Sequence, residues 1–571
     1  MLFKKQPQKS SEAFFSKKTF LIFFLFFLTI LTRFYKLDWA DSYFFHPDEN
    51  NMATAISKLK ITDLNPHFFA YGQFPLYLAF FTLYSLKLPN NFINSVLMLR
   101  FYSSLFSSIS VFIFYLISKK LFFSFKQSVL LLLFLIFTPA LIQLAHFGTT
   151  ESLLIFVFAI NIFLALNFYQ NQSLVSIFLS SIITGIGLAS KITSLFFLGP
   201  MLLSIFFAFF KKNKKNYLLL LTSFLLLNST LFFIIFSPFN LIAGPDFRST
   251  LNYETSVAMG KTKMFYTNQF LNSTPILFQF TKIFPYAVGP PVLLFAIIGA
   301  ILSLRGVLRR GNPAGVTTTS FTFPTRSPRP AKRDDTLINW LVVLIPALVY
   351  FFYNSFLYTK WSRFMSPIFF VFPFLSIVFF QQIKKYKFLS KILIIFSILP
   401  GIIFFSIYLK PDIRITASDW LKNNLLPHTK ILSEAGNVIN VPVNQHQLDV
   451  HNFDFYNLDS DPDSPKLLVE QIHQSDYILI PSRRIFKNQY RRHPDPAVAG
   501  EGSLFPYSQK YYQTLFSGKL GFEKLKQFSV FPFLLSDENA EETFSVFDHP
   551  VIRIYKKQNY LSKEEIEDLI L

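Results

Sequence analysis

Between Thr19 and Tyr408 the chain is a succession of apolar runs of roughly membrane-crossing length, joined by short polar segments. A helix needs about 20 apolar residues to cross the hydrocarbon of a bilayer. Inside lipid the backbone has no water to bond, so such runs must be helical. Seventy-seven Phe residues spread through Leu/Ile/Phe-rich runs exceed what one globular core would hold. The expected fold is therefore a polytopic α-helical membrane protein. Eleven spans are expected: Thr19–Tyr35, Val96–Ser118, Ser128–Ala145, Ser152–Phe168, Leu174–Ser190, Ile192–Phe210, Tyr217–Phe236, Pro285–Leu304, Leu337–Tyr358, Phe364–Phe380 and Leu389–Tyr408. No small-residue cleavage site follows the first run, so it is expected to be retained. There is no cysteine, which excludes disulfides, thiolate metal sites and thiol nucleophiles.

Charge gives the expected orientation. The net charge is +21, yet the stretch from Leu409 onward carries 18 basic and 22 acidic residues. The excess of Lys and Arg lies in short loops between apolar runs, a membrane-topology signal rather than a nucleic-acid footprint. Pro75–Leu88 is a short twelfth candidate. If it does not cross, Lys4 to Lys18, Lys119/Lys120/Lys126, Lys211 to Lys215, the Arg305–Arg333 loop and Lys384/Lys385/Lys387 all face the cytoplasm. It is thus read as an amphipathic or re-entrant helix at the outer surface. The expected layout is a cytoplasmic tail over 1–18, a membrane domain over 19–408 with a flexible cytoplasmic loop at 305–336, and an outer α/β domain over 409–571. In that last part, a polar-capped helix from Thr416, strands at Lys430–Ser433 and Tyr477–Ile480, a helix within Ser503–Phe516 and two strands around Asp548-His549-Pro550 are expected.

Charged residues on the expected outer face are few, and each is a candidate. Asp48 and Glu49, in Phe45-His46-Pro47-Asp48-Glu49-Asn50, stand just beyond the first span. Carboxylates at a bilayer edge are costly and mark function more often than loop carboxylates do. Pro47 also fits a plain helix start, where acids favour the dipole. Glu151 opens a later span after Thr149-Thr150, again as helix-start acid or functional group. Lys191 closes a Gly-containing helix end and is read either as a snorkelling lysine or as an anchor for a lipid phosphate. Arg100 and the Lys360-Trp361-Ser362-Arg363 segment are read as interface anchors or as cations for a phosphate leaving group. The polar, aromatic loop holding Asp246, Arg248 and Glu254 is read as acceptor-binding or as packing. His46 and His67 are candidate ligands for a divalent metal, without the tight spacing that metal sites show. No Walker loop or GxGxxG is present, and Asp459-Ser460-Asp461 is read as a turn.

In order along the chain come an "HPDE" loop, "LRFYSSLFSSISVFIFYLISKKLF", "TTES", "GIGLASKITSLFFLGP" and "TKWSRFMSPIFFVFPFL". Over about Thr19 to Tyr408 this set resembles the GT-C type polyprenyl-phosphate-sugar-dependent glycosyltransferases, which include the protein O-mannosyltransferases and the lipid A aminoarabinose transferases. The resemblance implies a catalytic Asp at Asp48, followed by Glu49, and a second acid at Glu151, where Asp is the commoner residue. It implies phosphate contacts from Lys191, Lys360, Arg363 and Arg100. Gly72-Gln73-Phe74-Pro75 stands where some members carry an acidic or His-Pro element, which weakens a metal expectation. The expected reaction moves a sugar from a polyprenyl-phosphate donor to an acceptor hydroxyl on a protein or glycolipid, outside the plasma membrane, with inversion and with Asp48 as base. A lipid-linked-sugar flippase is the alternative, although transporters place charges near the midplane and show repeated halves.

Overall fold

The computed structural model describes residues 17–212, 215–262, 264–308, 333–435, 440–443, 447–489, 505–531 and 536–571. Most of the expected tail and of the Arg305–Thr336 loop lies outside these residues.

The membrane body begins with α1 (Lys17–Phe34), the short α2 (Pro47–Lys58) and α3 (Gln73–Ser85), and the 29-residue α4 (Phe92–Lys120). Next come α5 (Phe125–Ile136), α6 (Pro139–His146), α7 (Glu151–Asn171), α8 (Leu174–Leu188), α9 (Gly199–Lys212) and α10 (Lys215–Phe236). The segment after α10 carries α11 (Phe239–Ile242) and α12 (Gly244–Ala258). The body closes with α13 (Phe284–Ala287), α14 (Pro290–Leu308), α15 (Arg333–Phe356), α16 (Val371–Gln382) and α17 (Lys387–Phe405).

Helices lie at all eleven expected span positions, but they are not equivalent. Six are long and apolar enough to cross a membrane, or nine when each of three bent pairs counts as one span. The other two are α1, which holds Lys17, Lys18 and Arg33, and α8, only 15 residues long. The bends have local causes. Pro139 has no N–H, so the α5–α6 pair bends by 54°. At this break the Leu135 and Ile136 carbonyls accept from the buried Arg33 guanidinium at 3.0 Å each. A buried cation of α1 thus supplies donors where the helix is interrupted. Of the expected Pro75–Leu88 segment, residues 75–85 are in α3, whose apolar residues surround the whole helix rather than one face. It is packed against α2 and α4.

The expected outer domain is a five-stranded mixed sheet with helices. Its strands are β1 (Lys430–Ala435), β2 (Asp449–Asp454), β3 (Tyr477–Ile480), β4 (Phe522–Phe528) and β5 (Ile552–Lys557), in the order β2-β1-β3-β5-β4. The first three run parallel, and β5 is antiparallel to both neighbours. Its helices are α18 (Ile413–Asn424), capped by Asp412 rather than starting at Thr416, α19 (Ser464–Gln474), α20 (Phe486–Gln489), α21 (Pro506–Phe516), α22 (Glu542–Ser545) and α23 (Lys563–Ile570). The strand expected before Asp548 is instead the helical turn α22. Its aromatics do not face a sheet partner. Phe544 and Phe547 pack with Trp39, Phe147 and Phe404, docking the domain on the membrane body. Asp459 caps α21 through the Tyr507 N–H at 2.8 Å, in keeping with a turn.

Candidate active site

The sequence Pro47-Asp48-Glu49 starts α2 with proline in the first turn and two acids where the dipole favours them. Successive helical residues point about 100° apart, so the two carboxylates meet different partners. Glu49 turns inward. It and Arg100 are fully buried and joined by two hydrogen bonds of 2.7 Å. Arg100 also donates to the Leu37 carbonyl at 2.8 Å and stacks over Trp39. The Gly148 N–H donates to Glu49 at 2.8 Å, and a Cβ at Gly148 would stand 2.8 Å from that same oxygen. This fork–fork pair ties α2, α4 and the loop before α7 together, and neither partner opens toward the Asp48 site.

Asp48 turns toward the other cluster and pairs with Arg363, each about one-fifth exposed. Arg363 opens the segment Ser362–Ile368, which forms a pair bent by 53° with α16. Its guanidinium also donates to the Tyr71 hydroxyl at 3.3 Å and lies over Trp361. Tyr71 is the bridge to a second ion pair. The Lys191 ammonium lies 5.8 Å from the Tyr71 ring centre, 5.0 Å from that of Phe364 and 3.5 Å from Glu151. Glu151 is buried in the first turn of α7. Lys191 is held by the end of α8, where Ala189 and Ser190 carbonyls accept from Phe74 and Gly72. A Cβ on Gly72 would fall 2.0 Å from the Ala189 oxygen, so glycine permits this contact.

Glu254 on α12 lies at the edge of the cluster, near enough to Lys191 and Tyr71 to act on them through charge alone. Desolvation raises its pKa and the Lys191 charge partly offsets that rise. Burial, followed by the charges of Glu151 and Glu254, raises Tyr71 well above the usual phenol range, so it is a neutral hydroxyl. Asp246 and Arg248, on the first turns of α12, are exposed to solvent, two turns from Glu254. Lys360 is buried and donates to the Tyr358 carbonyl at 3.1 Å, while burial lowers its pKa. His46 is buried between the rings of Phe147 and Phe547, and burial holds its pKa well below the usual value. Among the described residues no group of three or more His, Cys, Asp or Glu is placed to hold a metal.

Two contributors escaped the sequence reading. Tyr71 is uncharged and lies in an aromatic loop. Glu541, from the C-terminal domain, accepts from the Ser362 N–H at 3.0 Å, one residue before Arg363. Its neighbour Glu542 pairs with Arg484 at 3.2 Å. The C-terminal domain therefore forms one wall beside the cluster.

Acids and cations from α2, α7, the α8 end and the segment before α16 meet in a helical membrane body, an arrangement suited to group transfer at a membrane edge. The class that the chain resembles is that of the GT-C membrane glycosyltransferases. More narrowly, residues 75–242 match the family model described as Dolichyl-phosphate-mannose-protein mannosyltransferase. A comparison with curated proteins gives no match. Among solved structures, the apo Archaeoglobus fulgidus oligosaccharyltransferase is similar at 11% identity and a TM-score of 0.49, over 96% of this chain and 89% of that one. ArnT from Cupriavidus metallidurans in the apo state is similar at 11% identity and a TM-score of 0.44, over 82% and 93%. The S. cerevisiae protein O-mannosyltransferase Pmt1-Pmt2 complex bound to the sugar donor is similar at 15% identity and a TM-score of 0.33, over 41% and 35%.

Proposed function

We propose that this protein transfers a sugar from a polyprenyl-phosphate donor to an acceptor hydroxyl at the outer face of the membrane. The observation that carries the reading is the Asp48–Arg363–Tyr71–Lys191–Glu151 cluster, which joins residues far apart in sequence into one partly open site. Asp48 accepts the proton of the acceptor hydroxyl as that oxygen bonds to the anomeric carbon. The bond from the anomeric carbon to the phosphate oxygen breaks, and both electrons leave with the phosphate. A single displacement of this kind inverts the anomeric centre.

Lys191 and Arg363 stabilise the charge that develops on the leaving phosphate, and Tyr71 donates a hydrogen bond to it. Both cations are paired with carboxylates. A phosphate competing for Arg363 would release Asp48, so donor binding exposes the base. Glu49 and Arg100 act as positioning residues that fix α2, and Glu151 orients Lys191. Asp246, Arg248 and Lys360 carry no step in this scheme.

The test is transfer from defined radiolabelled polyprenyl-phosphate sugars to membrane extracts. Asp48→Asn is expected to lower the rate by about 100-fold or more with the fold retained. Full transfer by a folded Asp48→Asn protein would remove Asp48 as the base.

A further inference from the structure

A pocket of about 440 Å3 lies on the seam between the membrane body and the outer domain. Gln269 and Lys282 line it from the body, and Arg483, Lys487, Glu538 and Asn539 from the domain. Most of its charges are already matched. The Arg483 guanidinium donates to the carbonyls of Glu538 at 2.6 Å and Ala540 at 3.0 Å and to the Ser545 hydroxyl at 3.0 Å. Glu538 pairs with Arg553 at 2.5 Å, and Glu542, also at the pocket, with Arg484 at 3.2 Å.

Lys487 differs. Its ammonium donates to the Glu538 carbonyl and to the Asn539 side-chain oxygen at 3.3 Å, both uncharged acceptors. It forms no ion pair among the described residues. Burial first, then the neighbouring cations Arg483, Lys282 and Arg553, bring its pKa down to about 8 against the charge of Glu538. A half-buried cation among cations gains most from an oxyanion. Phe278 and Phe486 add apolar faces, and the amides of Gln269 and Asn539 are groups that hydroxyls bond.

We propose that the seam pocket binds an oxyanion on the acceptor, a phosphate or a carboxylate carried by a saccharide. The acceptor assignment rests on the transferase reading, but anion binding at Lys487 does not. The pocket adjoins the reaction site through the chain itself. Glu542 lines it, and Glu541 bonds the Ser362 N–H next to Arg363, the partner of Asp48. An acceptor anchored at Lys487 would thus lie against the same domain wall that contacts the Arg363 segment.

The test uses the full-length protein in lipid nanodiscs. Acetylation of Lys487 by acetic anhydride is followed by peptide mass spectrometry with inorganic phosphate, glucuronate or neutral glucose present. Phosphate or glucuronate is expected to slow labelling about fivefold or more, glucose to leave it unchanged, and Lys282→Gln to weaken the protection. Protection by phosphate alone assigns a phosphate ligand, and protection by glucuronate alone a carboxylate. Because bound anion holds Lys487 protonated, protection should fade above about pH 8. No protection by either anion, or equal protection by glucose, overturns the proposal. The assay needs neither donor nor transfer and reads equally in the Asp48→Asn protein, so its failure is distinct from failure of the proposed reaction.

Discussion

Asp48 and Glu49 are adjacent in sequence, yet they do different work. Helical geometry decides this, because neighbours on α2 cannot face the same partner. The sequence marks both as unusual carboxylates at a membrane edge. It does not say that Arg100, half a hundred residues later, lies beneath Glu49. Breaking that buried pair from one side leaves a charge without a counterion. Glu49→Ala is expected to cost about 3–5 kcal/mol, read as a fall in the thermal midpoint of the purified protein. Glu49→Leu with Arg100→Met removes both charges and should recover much of the loss. At the open site the expectation is reversed. Tyr71→Phe removes one hydroxyl contact to Arg363 and should leave stability nearly unchanged while lowering transfer about tenfold. If Tyr71→Phe transferred at the full rate, Tyr71 would be a packing residue only.

At the scale of elements, the apolar runs were legible because each one is longer than any buried strand and must be helical in lipid. The breaks were less so. Pro139 announces a bend, but the compensation by Arg33 comes from another helix. In the outer domain β1 and β3 stood out as short apolar runs with buried residues. The edge strands β2 and β4 did not, since most of their residues face solvent and Glu523, Lys524 and Lys526 crowd β4. Edge strands commonly carry such charges, which deter pairing with other chains. The alternation of Phe544 and Val546 imitated a strand because both side chains are buried, although against the membrane body. A prediction belongs here too. The N-terminus of α3 is joined to the end of α8 through Gly72, so Gly72→Ala must push apart the backbone that presents Lys191. It should lower transfer more than it lowers the thermal midpoint, and Lys191 should become more accessible to amine reagents.

For the molecule as a whole, the question is what keeps the C-terminal domain seated beside the site. The contact is partly aromatic, with His46 between Phe147 and Phe547. It is also ionic. His549 is buried between Asp548, at 2.5 Å, and Asp537, at 2.7 Å. Asp548 in turn accepts from Tyr408 at 2.9 Å and from Gln143 of α6 at 3.1 Å. Burial alone would lower the His549 pKa, but the two carboxylates outweigh it and raise the value from 6.5 to about 10. A raised folded-state pKa stabilises the charged form, so this contribution is complete below pH 6.5 and is lost as the pH rises through about 10. Lys487 works in the opposite sense, since its pKa falls from 10.5 to about 8. The global thermal midpoint therefore mixes the two, and the docking is best read locally. Hydrogen exchange of the peptide spanning residues 541–549 should be slowest below pH 6.5, after correction for intrinsic rates, and should quicken steadily toward pH 10. His549→Gln should flatten that dependence and give fast exchange throughout. An unchanged slope in the variant would show that the aromatic contacts alone hold the domain, and that the imidazolium between its two carboxylates contributes nothing to the seam.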